Sequence, residues 1–181
     1  MRCFTIGFAG ALALGTGACT ATQAPQGAAL PPSAAARSAE IREPGGRTVA
    51  HATLEQAGDS LRVRVDAAGL APGAYGAHLH ATGRCDAPAF ASAGPHWNPT
   101  LRQHGQDNPG GAHMGDLPNL MVGTDRRGSF EYTVPGASLA GGANPLLDAD
   151  GAALVIHAQP DDYRTDPSGN SGARIACGVI G

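Results

Sequence analysis

Glycine and proline interrupt this chain too often for a long helix to survive. There are 27 Gly and 14 Pro in 181 residues, and inside a helix each Gly costs about 1 kcal/mol and each Pro about 3 relative to Ala. Between the interruptions lie short runs in which apolar and polar residues alternate. Thr48 to Leu54 and Leu61 to Val65 are the clearest, with successive side chains directed to opposite faces of a sheet. Ala74 to His80, Ser129 to Val134, Ala153 to His157 and Ile175 to Ile180 are further short candidates. Short strands without amphipathic helices predict an all-β sandwich or barrel. Two stretches, Ala81 to Leu120 and Ala158 to Ala173, follow neither period. A loop of roughly forty residues needs something other than a core to order it.

The first residues read as an address. Arg2 supplies a positive charge, Phe4 to Leu14 is apolar, and small residues lead to Cys19; this is the pattern of a secretory signal, too short to span a bilayer. Gly17-Ala18-Cys19 resembles a bacterial lipoprotein box, which makes Cys19 a lipidation candidate, with ordinary cleavage after Ala21 or Ala24 as the alternative. From there to residue 44 the chain is rich in Ala, Pro, Gln, Gly and Ser, and a flexible tether is expected. The expected organisation is therefore a signal over 1–18, a tether over 19–44 and a folded domain over 45–181.

Charge narrows the partners. All twelve basic residues are Arg, no Lys occurs, and the formal net charge is -3, whereas a nucleic-acid binder is normally basic. Beyond the signal region only Cys85 and Cys177 remain. In an exported chain one disulfide is the simplest reading and two buried thiols the alternative; closing a loop of that length stabilises by about 4 kcal/mol in the chain-entropy model.

Seven His in a chain with only 15% charged residues direct attention to metal chemistry. His78 and His80 flank Leu79 at the end of a candidate strand, where a period of two puts both rings on one face about 7 Å apart. His104, His113 and Asp116 follow His96 at offsets of 8, 17 and 20, and three His with one Asp form a complete, closed set for Zn²⁺. His157 ends an apolar strand. His51, in an alternating strand, reads as a surface residue, and Trp97 as a packing residue of the loop. Asp148 to Gly151 matches only the first positions of a calcium loop and is expected to be a hairpin turn. No His-Glu-x-x-His, phosphate loop or nucleophile elbow is present.

Four segments carry a family likeness: Ala77-His78-Leu79-His80, SAGPHWNP around His96, HGQDNPGGAHMGDLPN from His104 to Asn119, and the terminal GNSGARIACGVIG. In order and internal spacing they resemble the copper/zinc superoxide dismutases over roughly 45–181, and the short gap from His80 to Cys85 resembles bacterial members. The resemblance implies a Greek-key β-barrel of the immunoglobulin-like sandwich class with long metal-binding and substrate-channel loops. It implies copper on His78, His80, His96 and His157, zinc on His96, His104, His113 and Asp116, and His96 shared between them. Imidazoles without thiolates suit Cu(II), and a hard carboxylate suits zinc. Asp161 would orient ligands of both metals, Arg174 would guide the anion, and a Cys85–Cys177 bridge would hold the ligand loop beside it.

The implied activity is an oxidoreductase that dismutes superoxide to O₂ and H₂O₂ in the bacterial periplasm or cell envelope. Membrane contact would be made only through a lipid on Cys19, with no nucleic-acid partner, and the chain would be a monomer or homodimer. The alternative is a dismutase-like module that buffers copper without catalysis. The loop from Asp162 to Arg174 is short and has no Lys, so steering by lysine does not transfer. Arg164 reads as a solvated loop charge.

Overall fold

The computed structural model describes residues 36–181. The signal, Cys19 and the tether as far as residue 35 lie outside the described residues. Among those described there is no α-helix, only a 3₁₀ turn at Ala91–Ala93 and eleven strands. Seven strands form one sheet in the order β5 (Ala77–His80), β10 (Ala153–His157), β11 (Arg174–Val179), β1 (Ala36–Arg42), β2 (Thr48–Ala57), β3 (Ser60–Ala68), β7 (Arg127–Pro135). β4 (Gly73–Tyr75) pairs with β6 (Leu120–Val122), and β8 (Ser138–Ala140) lies parallel to β9 (Pro145–Leu147). The last two strands of the chain insert between β5 and β1, a crossover of the Greek-key kind. Side chains from both ends of the sheet and from the small pairs meet in one core that includes Ile41, Leu54, Val63, Leu79, Leu120, Leu146 and Ile156. The architecture is the expected all-β barrel.

Alternation explains the long hairpins. In β3, Leu61, Val63 and Val65 are buried while Arg62 and Arg64 are exposed. Residues 36–44, expected to belong to the tether, are corrected: Ala36 to Arg42 pair along β2 from Glu55 to Thr48. Only Ala39 and Ile41 of that strand are buried, so its apolar signal is weak and its order comes mainly from backbone pairing. The expected hairpin turn at Asp148 to Gly151 is a turn, with Gly151 N–H donating to Asp148 O, but β9 and β10 on its two sides pair with other strands. Asp150 N–H donates to the Asp148 side chain at 3.0 Å, which is the local bond an Asp offers a turn.

β5 and β10 break the rule of one buried face, because every residue in both is buried. Leu79, Leu154 and Ile156 point into the main core. The opposite face of β10, through Ala153 and Val155, packs against Phe90, Ala93 and Cys177 of a second cluster. The Cys85–Cys177 disulfide, spanning 92 residues with Cα atoms 5.7 Å apart, fastens the 81–94 loop over this outer face. His78, His80 and His157 share this outer parity of their strands, with His80 meeting the 81–94 loop at Gly94 O and His78 and His157 meeting the 158–173 loop at Asp161 and Gly172 O.

Candidate metal centre

The free edge of β5 recruits the long loop by ordinary β pairing. Leu79 N–H donates to Gly115 O at 2.9 Å, Trp97 N–H donates to Leu79 O at 2.8 Å, and Gly115 N–H donates to Trp97 O at 2.9 Å. A side chain at Gly115 would overlap the Leu79 carbonyl oxygen and press on the Trp97 backbone, so glycine is what lets the three segments lie this close. Trp97 itself is buried in the main core. The pairing sets Asp116 opposite His78 and His96 opposite His80, and the loop sequence is thereby carried to the strand histidines.

Two groups of donor atoms result. One combines His78, His80, His96 and His157, the other His96, His104, His113 and Asp116, and within each group the atoms lie within 4.8 Å of one another. His96 belongs to both. Its ring centroid is 4.0 Å from that of His78 and 5.2 Å from that of His104. In the first group the buried nitrogens left without a hydrogen-bond partner are His78 Nδ1, His80 Nε2, His96 Nε2 and His157 Nε2. A buried polar atom without a partner is costly, and four of them converging is the arrangement that a cation relieves. The residues fit copper there, as four imidazoles without a thiolate should.

The second group surrounds one carboxylate oxygen. Asp116 Oδ1 lies 3.0 Å from His96 Nδ1, 3.0 Å from His104 Nδ1 and 3.2 Å from His113 Nδ1, yet His104 Nδ1 has no hydrogen-bond geometry. The other oxygen, Oδ2, accepts the Gly105 N–H at 2.9 Å and the His113 N–H at 3.0 Å, which fixes the direction of Oδ1. Three imidazoles and a carboxylate closing on one point satisfy the tetrahedral zinc set.

Asp161 links the groups. Its Oδ2 accepts from His78 Nε2 at 2.8 Å and its Oδ1 from His104 Nε2 at 2.9 Å. An ionised carboxylate only accepts, so both imidazoles carry a proton on Nε2 and leave Nδ1 for a metal. Asp161 is itself clamped: Tyr163 N–H donates to Oδ1 at 2.6 Å, and the Asn119 amide bonds both its backbone N–H and its C=O. His80 Nδ1 is 2.9 Å from Gly94 O, so its Nε2 is the free atom. Arg174 donates to that same carbonyl at 2.6 Å and to Phe90 O at 2.7 Å. One loop carbonyl thus aims both a first-group histidine and the arginine.

Burial sets the charge states. It pushes His80 down to about 2, His157 to about 3 and His96 to about 4, and it lowers His78 as well; all four rings are neutral at pH 7, as ligands must be. At His104 burial opposes protonation, but the Asp116 carboxylate 3.0 Å away and the hydrogen bond to Asp161 outweigh it and raise the ring to about 9. The same contacts overcome burial at Asp116 and Asp161 and hold both carboxylates below their ordinary range. Burial also lowers Arg174 from its ordinary value, though a guanidinium stays charged.

Arg174, His96 and His157 line a cleft of about 850 Å³, whose other lining residues are Pro, Ala, Gly and Ser. His51 is exposed on β2, outside both groups. Arg164 is a solvated charge 3.9 Å from Asp107. Sequence reasoning missed Asn119, Tyr163, Gly169 and Asp166, whose Oδ1 accepts the His104 N–H at 2.6 Å. Gly169 has φ +63, and a side chain there would meet the Asp161 carboxylate and the His104 ring. Asn119 and Gly169 lie inside the quoted motifs, but only the tertiary fold shows what they touch.

The family model for copper/zinc superoxide dismutase (SODC) matches residues 48–180. "Superoxide dismutase-like protein YojM" of Bacillus subtilis is 45% identical over 138 residues, covering 75% of this chain and 70% of that one. "Superoxide dismutase [Cu-Zn] 1" of Aquifex aeolicus is 43% identical over 146 residues, covering 78% and 85%. The crystal structure of a SOD-like protein from Bacillus subtilis superposes with a TM-score of 0.74 at 41% identity, over 78% of this chain and 96% of that one. A match across most of the barrel and both long loops, at this identity, leaves one conclusion: the chain belongs to the copper/zinc superoxide dismutase family.

Proposed function

We propose that the chain dismutes superoxide, converting two superoxide anions and two protons into O₂ and H₂O₂, with copper on His78, His80, His96 and His157 and zinc on His96, His104, His113 and Asp116. Copper and zinc are the family's cofactors. The observation that carries the reading is the set of four unpartnered, buried imidazole nitrogens beside a cleft whose only permanent charge is Arg174. When bound, copper supplies one-electron chemistry, and zinc supplies fixed charge without redox change.

The protein's residues do the rest. Arg174, clamped by Phe90 O and Gly94 O, presents a fixed cation to a small anion without a reorganisation cost. Asp161 and Gly94 O hold the tautomers of His78, His104 and His80. His96 spans the two groups, its Nδ1 toward Asp116 and its Nε2 among the first group, so a proton can be held at Nε2 beside the cleft and passed to product. The net charge of -3 does not oppose an anionic substrate, since the field inside the cleft is set by Arg174 and the metal.

An extracytoplasmic location is part of the proposal. The 92-residue disulfide suits an oxidising compartment, and the N-terminal pattern supplies the export signal, with Cys19 as the lipid attachment point. A second reading, a copper-buffering module without turnover, is favoured by one observation, the "dismutase-like" name of the Bacillus subtilis relative. Pulse radiolysis of the copper- and zinc-loaded protein decides between them: it should remove superoxide far faster than the His157→Ala variant, and equal rates would reject the enzyme. Azide should perturb the copper spectrum at an open position near Arg174, and no change would favour the buffer.

A further inference from the structure

His96 lines two clefts. One is the 850 Å³ cleft that holds Arg174 and His157. The other, of about 630 Å³, is lined by Trp97, Leu101, Arg102, His113, Asp148 and Asp166 among others. Pro95, His96 and Pro167 line both. The copper-side cleft contains no acidic group, whereas the second contains two acids and one arginine.

The second group of donor atoms is almost wholly buried. The His104 side chain is fully buried, and those of Asp116 and His96 are 4% and 5% exposed. His113, at 9%, is the most accessible of the four and lines only the second cleft. A cation arriving from solvent by that route meets His113 first, with the carboxylate and His104 Nδ1 behind it. His104 Nδ1 is buried without a hydrogen-bond partner and lies 3.0 Å from Asp116 Oδ1, which makes the far end of the route a cation acceptor.

We propose that the second cleft is a zinc-exchange port, distinct from the cleft used by superoxide: Asp148 and Asp166 draw in the divalent cation, and His113 is the first ligand to bind it and the last to let it go. Asp148 is exposed, and its side chain's one hydrogen bond is local, from Asp150 N–H; it serves collection and belongs to neither donor group. Leu101 is 90% exposed, lines the second cleft and belongs to neither donor group, so a larger side chain there tests passage without replacing a ligand. The proposal rests on the zinc assignment made above.

The test uses the full chain and zinc ions. Zinc uptake by demetallated protein is followed by competition with a chromophoric chelator, and zinc release from the copper/zinc-loaded protein is followed with excess chelator. Asp148→Asn, which keeps an acceptor for Asp150 N–H, should slow uptake about two- to fivefold at low salt, with the difference vanishing at high salt. Leu101→Trp should slow uptake and release together and leave zinc affinity unchanged. Ala89→Trp, in the other cleft, should leave both zinc rates alone. Normal zinc content with unchanged rates in the first two variants, or slowed zinc exchange in Ala89→Trp, would overturn the port alone. A chain that takes up no zinc by metal analysis would overturn the zinc assignment and the port with it.

Discussion

Replacing Asp161 by Asn changes one atom and removes one charge, and the structure says which metal group should suffer. The carboxylate accepts His78 Nε2 at 2.8 Å and His104 Nε2 at 2.9 Å. An amide has one accepting end, so whichever way it turns, one imidazole faces an N–H donor. That ring must lose its partner or move its proton to Nδ1, the atom needed for the metal. A hydrogen bond to a charged group contributes about 1.5–3 kcal/mol, which places the loss in metal affinity at roughly 10- to 150-fold. The two rings do not share it equally. His78 is carried by β5, paired along β10, and keeps its place without Asp161. His104 sits on the long loop, where its ring is held only by Asp161 and Asp116, and it turns away. Zinc affinity should therefore fall toward the upper end of that range and copper affinity less, measured by chelator competition with each metal separately. Affinities for both metals within twofold of the unmodified protein, or a copper loss larger than the zinc loss, would refute the reasoning.

The remaining expectations follow from the same contacts. Gly169→Ala should reproduce the zinc loss of Asp161→Asn, because a methyl group there meets both the Asp161 carboxylate and the His104 ring and adds about 1–2 kcal/mol of left-handed strain; zinc per chain by metal analysis checks it. Cys85→Ser with Cys177→Ser should lower unfolding free energy by about 4 kcal/mol in denaturant titration, and should weaken superoxide removal as well, since the loop carrying Phe90 O and Gly94 O then holds Arg174 less firmly. Arg174→Gln should slow superoxide removal and flatten its dependence on ionic strength, because no other lining residue of the cleft is permanently charged. Stability of the demetallated protein should fall as pH drops below about 6.5. Unfolded histidines take up protons there, while burial holds His80 to about 2, His157 to about 3 and His96 to about 4, so each removes about 1.4 kcal/mol per pH unit until its folded value is reached. His104, raised to about 9, acts in the opposite sense: its contribution is complete below about 6.5 and is lost as pH rises through 9. Thermal unfolding from pH 4 to 10 checks both arms, and a stability that is flat between pH 4 and 6.5 would contradict the first.

What the sequence disclosed and what it hid separate along one physical line. Alternation located β2 and β3 to within a few residues, because each buries a regular face whose period of two is written in the chain, whereas β7, β10 and β11 were legible only as short runs, β10 being buried throughout. It failed for β6, β8 and β9, three residues each, which are too short to show a period, and for β1, whose place depends on the register of β2 rather than on its own apolar content. Spacing grouped His96, His104, His113 and Asp116 in advance, because metal ligands must be particular residue types, and the family resemblance supplied the copper set. Of the groups that aim them, Asp161 was named through the resemblance, whereas a backbone carbonyl such as Gly94 O has no residue type at all, and neither does the space left by the missing side chain of Gly169. Asp166 is the instructive case, since it is an exposed loop acid in sequence and in solvent accessibility alike, yet it holds the backbone of His104 and lines the second cleft. Its position depends on the 158–173 loop folding back over the 104–116 loop, a contact 62 residues apart in the chain that no local pattern encodes. The chemistry of this centre is therefore legible residue by residue, whereas its orientation and its routes of access belong to the packing of two loops that carry no period of their own.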